Sequence, residues 1–266
     1  MAAKADGRIN WTRQQTLAAL HIYFQLPFGQ LHARQPKIKQ LAEWIGRTPG
    51  SVALKLCNMA SLDPLIVASG RSGMVNASAQ DRSIWNELQA DWDQVALEAV
   101  AEYERLANNH GVIADADLLE PPFLEEGKTR SAIIQVRVDQ ARFRRSVLAG
   151  YNTTCCISHL RHEKLVVASH IIPWSEDARN RLNPHNGLCL SALHDKAFDQ
   201  GLITVMPDLR VRVSEKLKAY EDDAFIRSSL LEFDGRPISM PNRFAPSAVF
   251  LAHHNLRFGF ARAASG

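Results

Sequence analysis

The sequence predicts an α+β protein in two parts, a helical amino-terminal domain followed by a domain of strands and helices. Three observations carry this expectation. Apolar residues recur at helical spacing across residues 10–107. Residues 108–127 then break the pattern with Asn108-Asn109, Gly111, Pro121-Pro122 and the acids Asp115, Asp117, Glu120, Glu125 and Glu126. Beyond them a short apolar run, Leu165 to Ala168, precedes a loop and a further helical pattern. The expected layout is therefore a helical domain over 1–107, a linker over 108–127 and a second domain over 128–266.

The helical part can be read in order. Thr12 followed by Gln15 has the form of a capping box, and Leu17, Leu20 and Phe24 then repeat on one face until Pro27-Phe28-Gly29 stops the helix. A second helix is expected from about Ile38 to Trp44, with Gly46 in the turn after it. Thr48 can cap a third helix that starts at Pro49, where the missing N–H costs nothing. Val52 and Leu56 share one side of that helix, Ser51 and Lys55 another. The segment LAEWIGRTPGSVALKL resembles a helix-turn-helix or Myb-like DNA-binding unit, in which the third helix offers Arg47, Thr48, Ser51 and Lys55 to DNA. A plain helical bundle whose short turn contains glycine is the alternative. One further helix, about Gln80 to Ala107, carries Trp85, Leu88, Trp92, Val95 and Leu97 as a packing face.

Composition narrows the class. Hydrophobic residues at 46% and charged residues at 22% exclude a mostly disordered chain. No apolar run approaches the roughly 18 residues of a membrane span, and MAAKADGRINW lacks the apolar core of an export signal, so a cytoplasmic setting is expected. The four cysteines, 57, 155, 156 and 189, form no C-x-x-C pair and read as reduced thiols. A net charge of +3 does not establish nucleic-acid binding by itself. Its distribution is more telling, because Lys128, Arg130, Arg137, Arg142, Arg144 and Arg145 crowd a stretch whose one acid is Asp139. Arg144 and Arg145 are the expected phosphate contacts.

The stretch from Cys155 to Val205 carries the chemistry. A strand ends at Ser169-His170, a loop leads to Asn186-Gly187, and a helix follows with His194 and Phe198. That order of strand, loop and helix with His170, Asn186 and His194 is the ββα-metal layout. Three blocks, QARFRRSVLAGYNTTC, ASHIIPWSEDARNRLNPHNGL and LSALHDKAFDQGLIT, resemble the HNH endonuclease family of the bacterial restriction-endonuclease type. The likeness covers about residues 130 to 215.

The resemblance implies a metal-dependent endonuclease acting on DNA, in restriction or phage defence. It places the general base on His170, a metal-binding role on His194, and an orienting or metal-binding role on Asn186. Phosphodiester hydrolysis needs a deprotonated water, which a neutral imidazole can supply, and a cation beside the oxygens that gather charge. Ser169 departs from the acid or histidine that many family members carry before the base. Asp195 and Asp199 could contribute directly or through water, Asp199 alternatively bracing the turn before Gly201. The expected cofactor is a hydrated divalent ion, Mg²⁺ first and Mn²⁺, Ni²⁺ or Zn²⁺ as alternatives. A DNA-binding regulator with a silent HNH remnant and an RNA-directed nuclease are the competing readings. Double-strand cleavage would need a homodimer or two sequential nicks.

Overall fold

The computed structural model of the chain describes residues 10–70, 77–114 and 130–260, with the backbone alone for 130–137. Six helices form the amino-terminal unit: α1 (Arg13–Gln25), α2 (Pro36–Trp44), α3 (Pro49–Ala60), α4 (Pro64–Ala68), α5 (Ala79–Ala90) and α6 (Trp92–Asn109). Thr12 and Gln15 close the capping box on α1, and every residue from Thr16 to Gln25 is buried. A helix apolar on all sides belongs at the centre of a bundle, and α1 packs against α2, α3, α5 and α6.

Two expectations for this unit need correction. The helix foreseen over 80–107 is two helices broken at Asp91 (φ −145°, ψ 92°), whose side chain accepts from Gln94 N and caps α6. A short acid that bonds the backbone locally competes with helix continuation. The proposed reader helix α3 starts at Pro49 behind its Thr48 cap, but only Gly50 and Leu54 along it are exposed. A helix that enters a DNA groove must stand clear of its own protein, and α3 is instead walled in by α1, α2 and α5. The foreseen linker begins later than expected, because α6 runs through Asn109; its residues 115–127 lie outside the described ones.

The second unit starts with α7 (Arg130–Gly150). It continues through β1 (Val166–His170), β2 (Gly187–Ser191), α8 (Ala192–Asp199), β3 (Ile203–Val205) and β4 (Val211–Val213), then α9 (Glu215–Lys218), α10 (Ala224–Ser229) and α11 (Ala248–Arg257). β1 and β2 pair antiparallel with His170 opposite Gly187, and β3 pairs antiparallel with β4. The core of this unit runs from Phe143 to Leu251, while Leu182 and Phe244 join the core of the helical unit instead. Arg243, fully buried, donates to the Tyr23 and Phe24 carbonyls at the end of α1 and lies over the Tyr23 ring. A cation on the last carbonyls of a helix complements its dipole, so the late segment fastens the two units together. No helix among the described residues is long and apolar enough to cross a membrane.

Candidate active site

His170 ends β1, where its ring is fixed on three sides. Phe143 of α7 stacks on it with centroids 3.6 Å apart and 14° between planes, and Trp174 meets it edge-on at 5.6 Å. Its Nε2 lies 3.0 Å from the Arg181 carbonyl. A carbonyl only accepts, so Nε2 carries the proton and Nδ1 is the basic nitrogen. Burial lowers the imidazole pKa below its usual 6.5, partly offset by the Arg181 carbonyl. The ring is thus held neutral at neutral pH, in one tautomer and one orientation.

Gly187 makes this arrangement possible. A Cβ there would stand 2.4 Å from Val147 Cγ2 and 3.0 Å from Phe143 Cζ. Only glycine lets α7 lie this close to β2, directly across from His170.

Asn186 is 1% exposed and its amide is spent on the backbone. Oδ1 accepts from Ile172 N at 2.8 Å, and Nδ2 donates to the Ile172 and Asn180 carbonyls at 3.0 and 3.2 Å. It staples the loop after His170 to the loop before β2. The expected orienting role fits this geometry; a metal-ligand role does not, since the amide oxygen is buried and already engaged.

His194 is also buried. It is 3% exposed, with Nδ1 2.7 Å from Ser191 Oγ and 3.9 Å from Cys155 Sγ, and its ring lies edge-on to Phe233. Its Nδ1 side meets Ser191 and Cys155, while its Nε2 is buried without a hydrogen-bond partner among the described residues. Burial raises the Cys155 thiol pKa, but hydrogen bonds from His194, Ser158 and Ile157 outweigh it and bring the value to about 6. At 0% exposure that thiol meets no solvent.

One residue along a helix turns the side chain by about 100°, and this is how Asp195 comes to face β1. Burial raises the Asp195 pKa, and the Ser169 hydroxyl, adjacent to His170, partly offsets it. Burial raises Asp199 too, and the charge of Asp195 adds to the rise. Residues four apart share a helix face, so α8 presents two crowded carboxylates at the strand end. Among the described residues no group of three or more His, Cys, Asp or Glu gathers as a metal cage. Two crowded carboxylates suit a hydrated, oxygen-preferring ion that takes its other ligands from water and phosphate.

The expected DNA contacts are mostly committed inside the protein. Arg47 lies over the Trp11 ring and donates to Gln15 and the Asn10 carbonyl. Lys55 is 5% exposed and sits 2.6 Å from Asp81 Oδ1. Arg144 donates to the Val166 and Glu163 carbonyls at 2.8 Å each, clamping the entry to β1, and Arg145 donates to Gln25 of α1. Ser51 keeps a half-buried place on α3. Their cationic groups hold structure because the two units need partners for α7 and α3, an outcome that residue type alone does not reveal. Arg179 in the loop after His170, Lys196 on α8 and Arg257 on α11, paired with Glu176 of that loop, are exposed cations on these elements.

Sequence reasoning passed over Trp174, Arg181 and the Asp93 contact that holds the Arg181 loop. Trp174 and Arg181 lie inside a motif block, but their side-chain type does not announce a role exerted through a ring edge and a backbone carbonyl.

Comparison with known families adds one match: residues 155–206 fit the family model described as HNH endonuclease. No curated protein matches the chain significantly. The matched segment contains β1, the Asn186 staple, β2, α8 and β3, the elements that place His170 and Asp195. Residues 155–206 therefore form an HNH endonuclease segment, which points to nuclease activity on nucleic acid.

Proposed function

We propose that the protein is a metal-dependent endonuclease that hydrolyses DNA phosphodiester bonds with His170 as general base. The observation that carries this is the His170 ring itself, neutral, wedged against Phe143, and bonded through Nε2 to the Arg181 carbonyl. Its Nδ1 is left to take a proton from water, which general-base hydrolysis requires. Asp195 and Asp199 would hold the divalent ion, Mg²⁺ by the oxygen character of the pair. Such an ion supplies charge neutralisation at the phosphate oxygens and the departing 3′ oxygen. Asn186 keeps the loop that carries Arg181 and Trp174 in register with the base. Arg179 and Lys196, exposed beside these elements, would meet neighbouring phosphates. Restriction or phage defence is the setting that the resemblance of the motif blocks supports.

The test is nicking of supercoiled plasmid with a panel of divalent ions. The parent should cleave only with metal, and His170→Ala should be slower by about 10²-fold or more with DNA affinity nearly unchanged. Equal rates in the two would remove His170 as the base. A second reading, a DNA-binding protein without catalysis, draws on Ser169 and the absence of a three-donor cage among the described residues. Metal-independent binding with no nicking under any ion would favour it, and cleavage of RNA in preference to DNA would change the substrate.

A further inference from the structure

The helical unit reaches the base through a short chain of hydrogen bonds. Asp93 lies in the first turn of α6 and is 9% exposed. Its Oδ2 accepts from Arg181 N at 3.1 Å and its Oδ1 from Leu182 N at 2.9 Å, across 88 and 89 residues of sequence. The carbonyl of that same Arg181 accepts from His170 Nε2 at 3.0 Å. One residue therefore offers its N–H to the helical unit and its carbonyl to the imidazole.

We infer that Asp93 is a positioning residue for His170, a carboxylate of the helical unit that sets the Arg181 carbonyl and through it the tautomer and aim of the base; this rests on the reading of His170 as base. A loop residue with free φ and ψ could turn its carbonyl away. A carboxylate that takes two consecutive N–H groups, one on each oxygen, fixes the peptide planes around Arg181. The other supports on this loop pull in the same sense: Arg181 Nε donates to the Trp174 carbonyl, and Asn186 Nδ2 to the Asn180 carbonyl. Asp93 is the support that comes from outside the matched nuclease segment. Burial of Asp93 requires α6 to be docked, so correct assembly of the helical unit becomes a condition for a competent base.

The charged surroundings show that the carboxylate is held for these bonds and not for an ion pair. Burial raises its pKa, the Leu182 and Arg181 N–H groups lower it, and Asp177 and Asp91 add to the rise, the balance lying at about 6. A cleft of about 530 Å³ opens beside it, with Asp91, Asp139, Trp174, Arg179 and Arg181 on its walls.

The experiment uses the full chain. Asp93→Asn has nearly the same shape but can accept only one of the two N–H groups and turns an NH₂ toward the other. Nicking at saturating DNA and metal should slow by about 10- to 100-fold, the scale of a small misplacement of a reacting group, with DNA affinity unchanged. Nitrogen-15 spectra of labelled histidine should show His170 moving from a single Nε2–H tautomer toward a mixture, which a loss of stability alone would not produce. A folded Asp93→Asn with the parent's rate and the parent's His170 spectrum overturns the inference. Should that variant not fold, amide exchange in the parent decides: Arg181 and Leu182 N–H must be protected like core amides, and exchange at loop rates overturns it. His170→Ala separates the two ideas, since an active His170→Ala defeats the base assignment whatever Asp93→Asn does to the tautomer.

Discussion

Phe143 lies flat against His170, ring centroids 3.6 Å apart, although 27 residues and a change of element separate them. This contact, with Gly187 allowing it from below, fixes the plane of the base. Phe143→Leu keeps apolar bulk at a site 2% exposed and should cost about 1–2 kcal/mol of stability. It loses the flat surface, so cleavage should fall by about 10-fold at a temperature where the variant is fully folded. Chemical denaturation and single-turnover nicking check the two parts separately; a rate equal to the parent's would show that the stack does not orient the base.

Much of the scaffold was legible because it rests on local rules. Caps at Thr12 and Thr48, the stop after Phe24 and the strand that ends at His170 depend on residues within a few positions of each other. The site was legible only where residue type declares chemistry. His170, Asn186 and His194 declare themselves by type and spacing, whereas the neighbour Asp195 gains its place beside β1 only from the one-residue turn of α8. Basic residues misled for a similar reason. A guanidinium that clamps a carbonyl, as Arg144 does, is written in the same letter as one that binds phosphate.

Lys55 gives a direct test of that correction. Its ammonium and the Asp81 carboxylate are 5% and 0% exposed by side chain. Lys55→Met removes one partner and leaves a buried carboxylate, a change that typically costs about 3–5 kcal/mol. A phosphate-binding lysine would instead reduce the salt slope of DNA affinity by about one counterion with little effect on stability. Urea unfolding should therefore show a large loss while the salt dependence of DNA binding, measured below the transition, stays as in the parent. The reverse pattern would return Lys55 to the DNA surface.

Acid sensitivity should pass through His254. Its ring stacks on Phe198, its Nδ1 pairs with Thr204 Oγ1 at 2.8 Å, and its Nε2 meets the Phe198 carbonyl. Burial lowers its pKa from 6.5 to about 4, the Phe198 carbonyl opposing and Arg257 and His253 assisting. A depressed folded pKa means that the unfolded chain binds the proton first as pH falls. The contribution is complete above pH 6.5 and is lost progressively as pH drops toward 4, by about 3 kcal/mol at 1.36 kcal/mol per unit. His254→Gln keeps hydrogen-bonding groups without the titration, so its stability should be lower at pH 7 and vary less between pH 6.5 and 4. Unfolding curves of parent and variant across that range measure it, and a parent-minus-variant stability difference that stays constant from pH 6.5 to 4 would refute the assignment.

The metal assignment turns on adjacent residues of α8. Asp195 stands beside Ser169 with Asp199 on the same helix face, and both carboxyls are pushed up by burial, Asp199 further by Asp195. A bound cation would relieve that repulsion. His194 sets its Nδ1 against Ser191 and Cys155 and its ring edge-on to Phe233, with Nε2 buried and unpartnered among the described residues. Losing a ligand weakens ion binding, so excess metal restores part of the rate; losing a core contact lowers stability and leaves the metal requirement alone. Asp195→Asn should raise the Mg²⁺ needed for half-maximal nicking by about 10-fold or more. His194→Ala should lower the melting temperature and, while folded, titrate with metal like the parent. Calorimetry of Mn²⁺ binding checks the same contrast without cleavage, with weaker binding in Asp195→Asn and parent-like binding in folded His194→Ala. If instead His194→Ala needs the extra metal and Asp195→Asn does not, the ion sits on the histidine side of α8 and the geometry read from Ser169 and Asp195 is wrong.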